Sequence, residues 1–163
     1  WEEWLENFKQ GVALPGGKHK MLLDLTITGP GMFSLKELFD LSKELGVRME
    51  TKMMFAFHPD MVFSAFAWPR HILDKVIDDN LAYMLPTADR LQETLINTLQ
   101  EMKKRPTFAE QWEDHHEPSV GGRQFQARLS RIRKDKEMGM PTIEDIYKEH
   151  CPELYNWWME CYE

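Results

Sequence analysis

The fold is decided by one stretch near the start of the chain, MLLDLTITGPGMFSLKELFDLSKELGVRMETKMMFAFHPD, which spans residues 21–60. Its first part, residues 21–28, is short, apolar and β-branched, and it stops at the strong breaker Gly-Pro-Gly of residues 29–31. Residues 47–57 form a second extended run. The segment between them is long enough to return the chain, so we predict two parallel strands joined by a helical crossover.

The connecting segment has the start and stop signals of a helix. Ser34 offers an N-cap with Glu37 three residues on as its capping-box partner, and Gly46 occupies the usual position after the last turn. Apolar residues recur between them at helical spacing. We expect a helix that starts near Ser34.

The two faces of the first strand differ in polarity. One face carries Leu23, Leu25 and Ile27, and the other carries Asp24, Thr26 and Thr28. A doubly wound sheet would have two apolar faces. Two explanations remain open: a barrel or half-barrel in which Thr26 and Thr28 look into a cavity, or a short edge sheet with one face in solvent.

The composition limits the class of protein. The chain has 163 residues, 42% hydrophobic and 29% charged, with a net charge of −7. This acidity argues against nucleic acid or an anionic membrane as the main partner, and no apolar run approaches the roughly 20 residues of a membrane span. Two cysteines in a chain rich in Met and Trp indicate a reducing compartment, so we predict a cytoplasmic protein.

The ends of the chain carry further expectations. Trp1 starts inside an apolar helical stripe without a cap, which suggests a fragment whose N-terminal part is missing. Everything after residue 68 is predicted to be helical, with a break at the two glycines of residues 121–122. A basic helix follows that break, and its apolar stripe consists of Phe125, Leu129 and Ile132.

Few side chains have the spacing of a chemical site. His58-Pro59-Asp60 follows the second strand, and either a polar ligand contact or a capped strand exit explains it. The neighbours His115 and His116 point about 100° apart on a helix, so they are poor metal co-ligands. Cys151 and Cys161 lack metal-ligand spacing and fit core packing better. We therefore predict no metal site in this chain.

Three stretches together resemble a known family. They are LDLTITGPGMFSLKELFDLSKELGVRMETKMMF, MVFSAFAWPRHILDKVIDDNL and RLSRIRKDKEMGMPTIEDIYKEHCPELYNWW. Their order and spacing resemble the last third of radical S-adenosylmethionine enzymes of the twitch-domain-containing type. The resemblance implies an α/β fold, namely a fragment of a partial (β/α)6 barrel in residues 1–68, followed by an all-helical C-terminal region in residues 69–163.

The resemblance also implies an activity and its cofactors. Such enzymes use S-adenosylmethionine and a 4Fe-4S cluster to form a 5′-deoxyadenosyl radical that abstracts hydrogen from a substrate. The C-x-x-x-C-x-x-C loop that holds the cluster is absent here, so this chain alone would be inactive and would need the missing N-terminal half of the barrel as its partner. The substrate stays open, with a peptide or protein as one candidate.

The site implied by the resemblance is the rim at the C-terminal ends of the strands. The residues expected to contact the cofactor there are Thr26, Thr28, Ala56, Phe57 and His58. No catalytic residue is assigned. The alternative is a non-enzymatic α/β-helical protein-interaction module.

Overall fold

The computed structural model describes residues 1–54, 57–135 and 139–162. It is a mixed α/β structure in which helices predominate and a two-stranded sheet lies near the start. The helices and strands are, in chain order, α1 (Glu2–Ala13), α2 (Gly17–Lys20), β1 (Leu22–Ile27), α3 (Leu35–Leu45), β2 (Arg48–Met53), α4 (Arg70–Met84), α5 (Glu93–Lys104), α6 (Phe108–Gln111), α7 (His116–Asp135), α8 (Ile143–His150) and α9 (Pro152–Met159). Short 3-10 helices cover Pro30–Ser34, Ala65–Ala67 and Glu160–Tyr162.

The two strands pair in parallel, as the sequence predicts. The register runs from Leu22 opposite Arg48 to Ile27 opposite Met53. The amide of Met54 donates to the carbonyl of Ile27 at 3.1 Å, just past the ladder. Strand β2 ends at Met53, before the predicted end at residue 57, and residues 55 and 56 of that prediction lie outside the described residues. Two strands do not make a barrel by themselves, so the barrel stays a prediction.

One face of the sheet is buried and the other is open. Leu23, Ile27 and Met49 are at most 3% exposed and belong to the hydrophobic core. Helix α5 packs against β2 on this side, with the hydroxyl oxygens of Thr51 and Thr98 2.8 Å apart. The alternation predicted from the sequence therefore separates core from exterior, since each strand turns successive side chains to opposite faces.

The two ends of α3 differ in how well the sequence predicts them. Gly46 takes the left-handed conformation, with φ of 65°, and its amide donates to the carbonyl of Ser42 at 2.9 Å. The predicted capping box of Ser34 and Glu37 is wrong, because Ser34 makes no side-chain cap bond. A 3-10 turn runs directly into the helix, and the chain already follows a helical path before Ser34.

Helix α7 continues through the predicted break. Gly121 and Gly122 lie inside it, so the expectation of a chain break there is wrong. Gly122 brings the helix against the backbone of Asp60: a β-carbon added to it would lie 2.3 Å from the Asp60 carbonyl oxygen. This glycine is needed for close packing rather than for a turn.

Buried aromatic residues join the helical region to the part that follows the sheet. The indole nitrogen of Trp68 donates to the Tyr147 hydroxyl at 3.3 Å, and the rings of Tyr147 and Trp158 meet edge to face at 5.5 Å. All three are at most 1% exposed. The core thus contains residues from both sides of position 68. The division of the chain into residues 1–68 and 69–163 stays a prediction.

Candidate functional site

The C-terminal ends of β1 and β2 lie at the same edge of the sheet because the strands are parallel. Loops at such an edge can carry ligand contacts without disturbing the strands. Thr26, opposite Lys52 in the register, is exposed on the open face close to this edge. Thr28, Phe57 and His58 follow the strand ends. Ala56, the remaining predicted contact, lies outside the described residues.

The turn after β1 is closed by internal hydrogen bonds. The Thr28 hydroxyl oxygen accepts from the amide of Gly31 at 3.2 Å, and the amide of Gly29 donates to the carbonyl of Phe63 at 2.6 Å. A β-carbon on Gly29 would lie 2.9 Å from the Tyr147 hydroxyl. These contacts favour the structural interpretation of Gly29-Pro30-Gly31 over a phosphate-binding turn, since the Gly29 amide already has a partner.

A segment that we call the strap, residues 61–68, crosses the ends of both strands. It meets the β1 turn through Phe63 and the end of β2 through Ser64. The Ser64 hydroxyl donates to the carbonyl of Met54 at 3.2 Å and accepts from the amide of Phe66 at 3.3 Å. Ser64 is fully buried. Ser64 is the one polar residue of the run 61–67, which is a sequence signal for a buried hydrogen bond but does not identify its partners.

His58 follows the end of β2 and borders helix α7. Its Nδ1 lies 3.0 Å from an Asp60 carboxylate oxygen, and both side chains are more than half exposed. The two residues line a groove of about 380 Å³ together with Pro118, Gly121, Gly122 and Phe125. Phe57, next to His58, is 87% exposed. The pair with Asp60 is compatible with both interpretations of His58-Pro59-Asp60, a capped strand exit and a ligand contact.

The open face of the sheet is charged as well as polar. Lys52 pairs with Asp24 at 3.2 Å across the strands, and Arg48 pairs with Glu50 at 2.9 Å along β2. All four side chains are at least 37% exposed. Exposed pairs of this kind add little to stability. This face therefore offers hydrogen-bonding groups of both signs beside Thr26.

The described residues provide no cluster of metal ligands. No three His, Cys, Asp or Glu side chains among them are grouped to hold an ion. Cys151 and Cys161 are both buried free thiols, and burial raises the pKa of the Cys161 thiol. The Nδ1 of His115 lies 3.1 Å from the Trp112 carbonyl, a local helix-end contact. The Cys and His side chains of the described residues therefore do not fit an iron-sulfur cluster.

A second cavity, of about 310 Å³, lies between α3, α4 and the junction of α8 and α9. The rings of Phe33 and His150 stack at 5.3 Å beside it. Side chains of both charges line it, among them Lys36, Lys75 and Asp79. The sequence did not predict this cavity, because its lining comes from segments more than 100 residues apart.

The strongest shifts of carboxyl pKa values occur at helix starts rather than at the rim. Hydrogen bonds from Arg70 and the Thr107 backbone lower the pKa of Glu110 to about 2. Those from Lys134 and Thr142 lower the pKa of Asp145 to about 2. Both carboxylates complete capping boxes, the first of which the sequence predicts as Thr107 with Glu110. These shifts indicate stability rather than catalysis.

Comparison with family models, with curated proteins and with solved structures found no match to this chain. Among the described helices, none has the length and apolarity needed to cross a membrane. The rim therefore has to be interpreted from its own residues.

Proposed function

We propose that this chain is the C-terminal portion of a radical S-adenosylmethionine enzyme and forms part of the wall of its site. The observation that carries the proposal is the parallel β1–α3–β2 unit, whose one face is buried and whose other face is polar and open. A segment taken from a partial barrel that encloses a ligand cavity would have this form, with helices outside and polar side chains toward the cavity.

The free edge of β1 also supports the proposal. Strand β1 pairs with β2 on one side, and no further strand adjoins it among the described residues. Leu22 at its start is 39% exposed. An unpaired edge attracts another strand, so it is a place where the remainder of a barrel could continue the sheet.

The proposal assigns limited roles to the residues of this chain. Thr26 and His58 would offer hydrogen bonds to the cofactor at the rim, with the backbone beside Phe57. The strap would exclude water from the strand ends, since Ser64 and Trp68 are at most 1% exposed. The cofactor itself supplies the radical chemistry when it accepts one electron from a cluster held by another part of the protein.

The second candidate is a non-enzymatic protein-interaction module. The large apolar side chains left exposed favour it, among them Phe57 at 87% and Phe125 at 57%. The two functions predict different results in an assay of radical formation.

The test uses the protein encoded by the complete reading frame that contains these 163 residues. It is reconstituted without oxygen with iron, sulfide and a strong reductant, and 5′-deoxyadenosine is measured after addition of S-adenosylmethionine. We expect 5′-deoxyadenosine from the parent protein, and His58→Ala and Thr26→Val should each weaken cofactor binding about tenfold.

The control is His19→Ala, an exposed histidine just before β1, at the opposite end of the strands. It should bind the cofactor as the parent does. Absence of 5′-deoxyadenosine from a protein with a full cluster would contradict the function. Normal cofactor affinity in both rim variants would contradict only the site.

A further inference from the structure

Helix α7 has its two faces reversed relative to an ordinary amphipathic helix. The side chains that it buries are small or polar, namely Ser119, Arg123, Ala127 and Ser130. Arg123 is 2% exposed, donates to the carbonyl of Trp157 and stacks over the Trp157 ring at 4.4 Å. Burial lowers the pKa of the Arg123 guanidinium. The helix is therefore held in place by hydrogen bonds and close packing rather than by its large apolar residues.

The large apolar residues of α7 point outward. Phe125 is 57% exposed, Ile132 is 48% exposed and Leu129 is partly exposed. The hydrophobic core of the described residues includes none of the three. At about 100° per residue they occupy a sector of about 60°, so they form one continuous stripe about 10 Å long. A stripe of this spacing normally packs against another element.

Basic side chains border this stripe on both sides. Arg128 lies on one side of it and Arg133 on the other, each within about 80° of Phe125 around the helix. Both are exposed. The whole chain is acidic, with a net charge of −7, so this basic helix face is the exception. The groove beside His58 and Asp60 continues the surface at the Phe125 end.

We propose that the outward face of α7, centred on Phe125, Leu129 and Ile132, binds an acidic amphipathic helix of a partner protein. The apolar stripe matches a facing row of leucine-like side chains at helical spacing, and the arginines match carboxylates that flank such a row. The aliphatic Leu129 and Ile132 offer no stacking surface for bases, which favours a helix over single-stranded nucleic acid. The inference does not depend on the proposed enzymatic function.

The probe is a designed helical peptide of about 18 residues, with leucines at i, i+4 and i+7 spacing, glutamates on the flanks and a fluorescent label. A peptide of the same composition in scrambled order is its control. Fluorescence anisotropy should show that the chain binds the first peptide at least about tenfold more tightly than the second. Binding should weaken with added salt because the arginine contacts are exposed.

Substitutions locate the contact on the chain. Phe125→Ser and Ile132→Ser should each weaken peptide binding at least about fivefold, and Arg128→Glu should weaken it most at low salt. Leu85→Ser is a matched control, because Leu85 is 51% exposed and lies outside α7. All these side chains are exposed, so the variants should keep the far-ultraviolet circular dichroism spectrum of the parent.

Three outcomes would overturn the proposal. One is equal affinity for the ordered and the scrambled peptide, and another is tighter binding of a single-stranded oligonucleotide. The third is self-association, since α1 is acidic at its start and leaves Trp4 44% exposed. Analytical ultracentrifugation tests this last outcome: a dimer that Phe125→Ser dissociates would make a second copy of the chain the occupant.

Discussion

Gly121 and Gly122 are neighbours in α7 with opposite surroundings. A β-carbon on Gly121 would meet no atom within 4 Å, whereas one on Gly122 would lie 2.3 Å from the Asp60 carbonyl oxygen. Sequence alone treats the pair as a helix breaker, because it shows the conformational freedom of glycine and not the backbone that approaches it. The close approach at Gly122 also places His58 and Asp60 beside the helix.

The two glycines therefore predict opposite effects of the same substitution. Gly121→Ala should raise the free energy of unfolding by up to about 1 kcal/mol, because alanine favours the helix more than glycine does. Gly122→Ala should lower it by about 1–3 kcal/mol, because the loop at Asp60 has to move. Urea denaturation followed by circular dichroism measures both. Equal effects of the two changes would show that α7 does not pack on this loop.

At the scale of elements, the two parallel strands and the end of α3 could be predicted from the sequence. Alternation of apolar residues predicts the buried face that carries Leu23 and Ile27, and Gly46 predicts the end of α3. The strap could not be predicted, since its contacts join Ser64 and Phe63 to two separate strand ends. The sequence also could not predict which face of α7 is buried, because the apolar stripe of this helix lies outside the core.

For the candidate site, the sequence predicts only the edge. The parallel pairing of the strands places Thr28 and His58 after the same ends of the two strands. The sequence does not show that the Thr28 hydroxyl oxygen closes its own turn by accepting from the Gly31 amide. It also does not show that His58 pairs with Asp60 and borders α7. Such contacts depend on the tertiary positions of loops, which local patterns do not encode.

The network around Arg70 joins three helices. Its guanidinium donates to Glu110 at the start of α6, to Asp74 in α4 and to the carbonyl of Arg105 at the end of α5. Glu110 also accepts from the amide of Thr107 at 2.7 Å. One carboxylate thus caps α6 and fixes α4 beside it.

This network predicts a pH dependence of stability. The pKa of Glu110 falls from 4.5 to about 2, so the folded state favours the carboxylate. The resulting stability is present above pH 4.5 and is lost as the pH falls toward about 2. The effect should stay below about 1 kcal/mol, because the Glu110 side chain is 45% exposed.

Urea denaturation of the parent and of Glu110→Gln at several pH values checks this expectation. Above pH 4.5 the parent should have a larger free energy of unfolding than Glu110→Gln. This difference in free energy should shrink as the pH approaches 2. Glu113→Gln, an exposed change close by, is the control and should show no such trend. A difference that grows on acidification would contradict the assignment.

At the scale of the whole molecule, the chain combines a small parallel sheet with a larger helical part through a common core. Trp68, Tyr147 and Trp158 form the buried contact between the strap and the C-terminal helices. The surfaces that remain are the open face of the sheet, the edge of β1 and the outward face of α7. The first two support the proposal of a barrel wall, and the third supports the binding of a partner helix.

The central claim is that a cluster-binding half of a barrel precedes these residues in the same protein. The DNA sequence upstream of the Trp1 codon tests it most directly. We expect an open reading frame that continues upstream and encodes C-x-x-x-C-x-x-C roughly 100 residues before Trp1, the length of about three strand-helix units. An in-frame stop codon shortly before Trp1, or a long upstream frame without this cysteine motif, would contradict it.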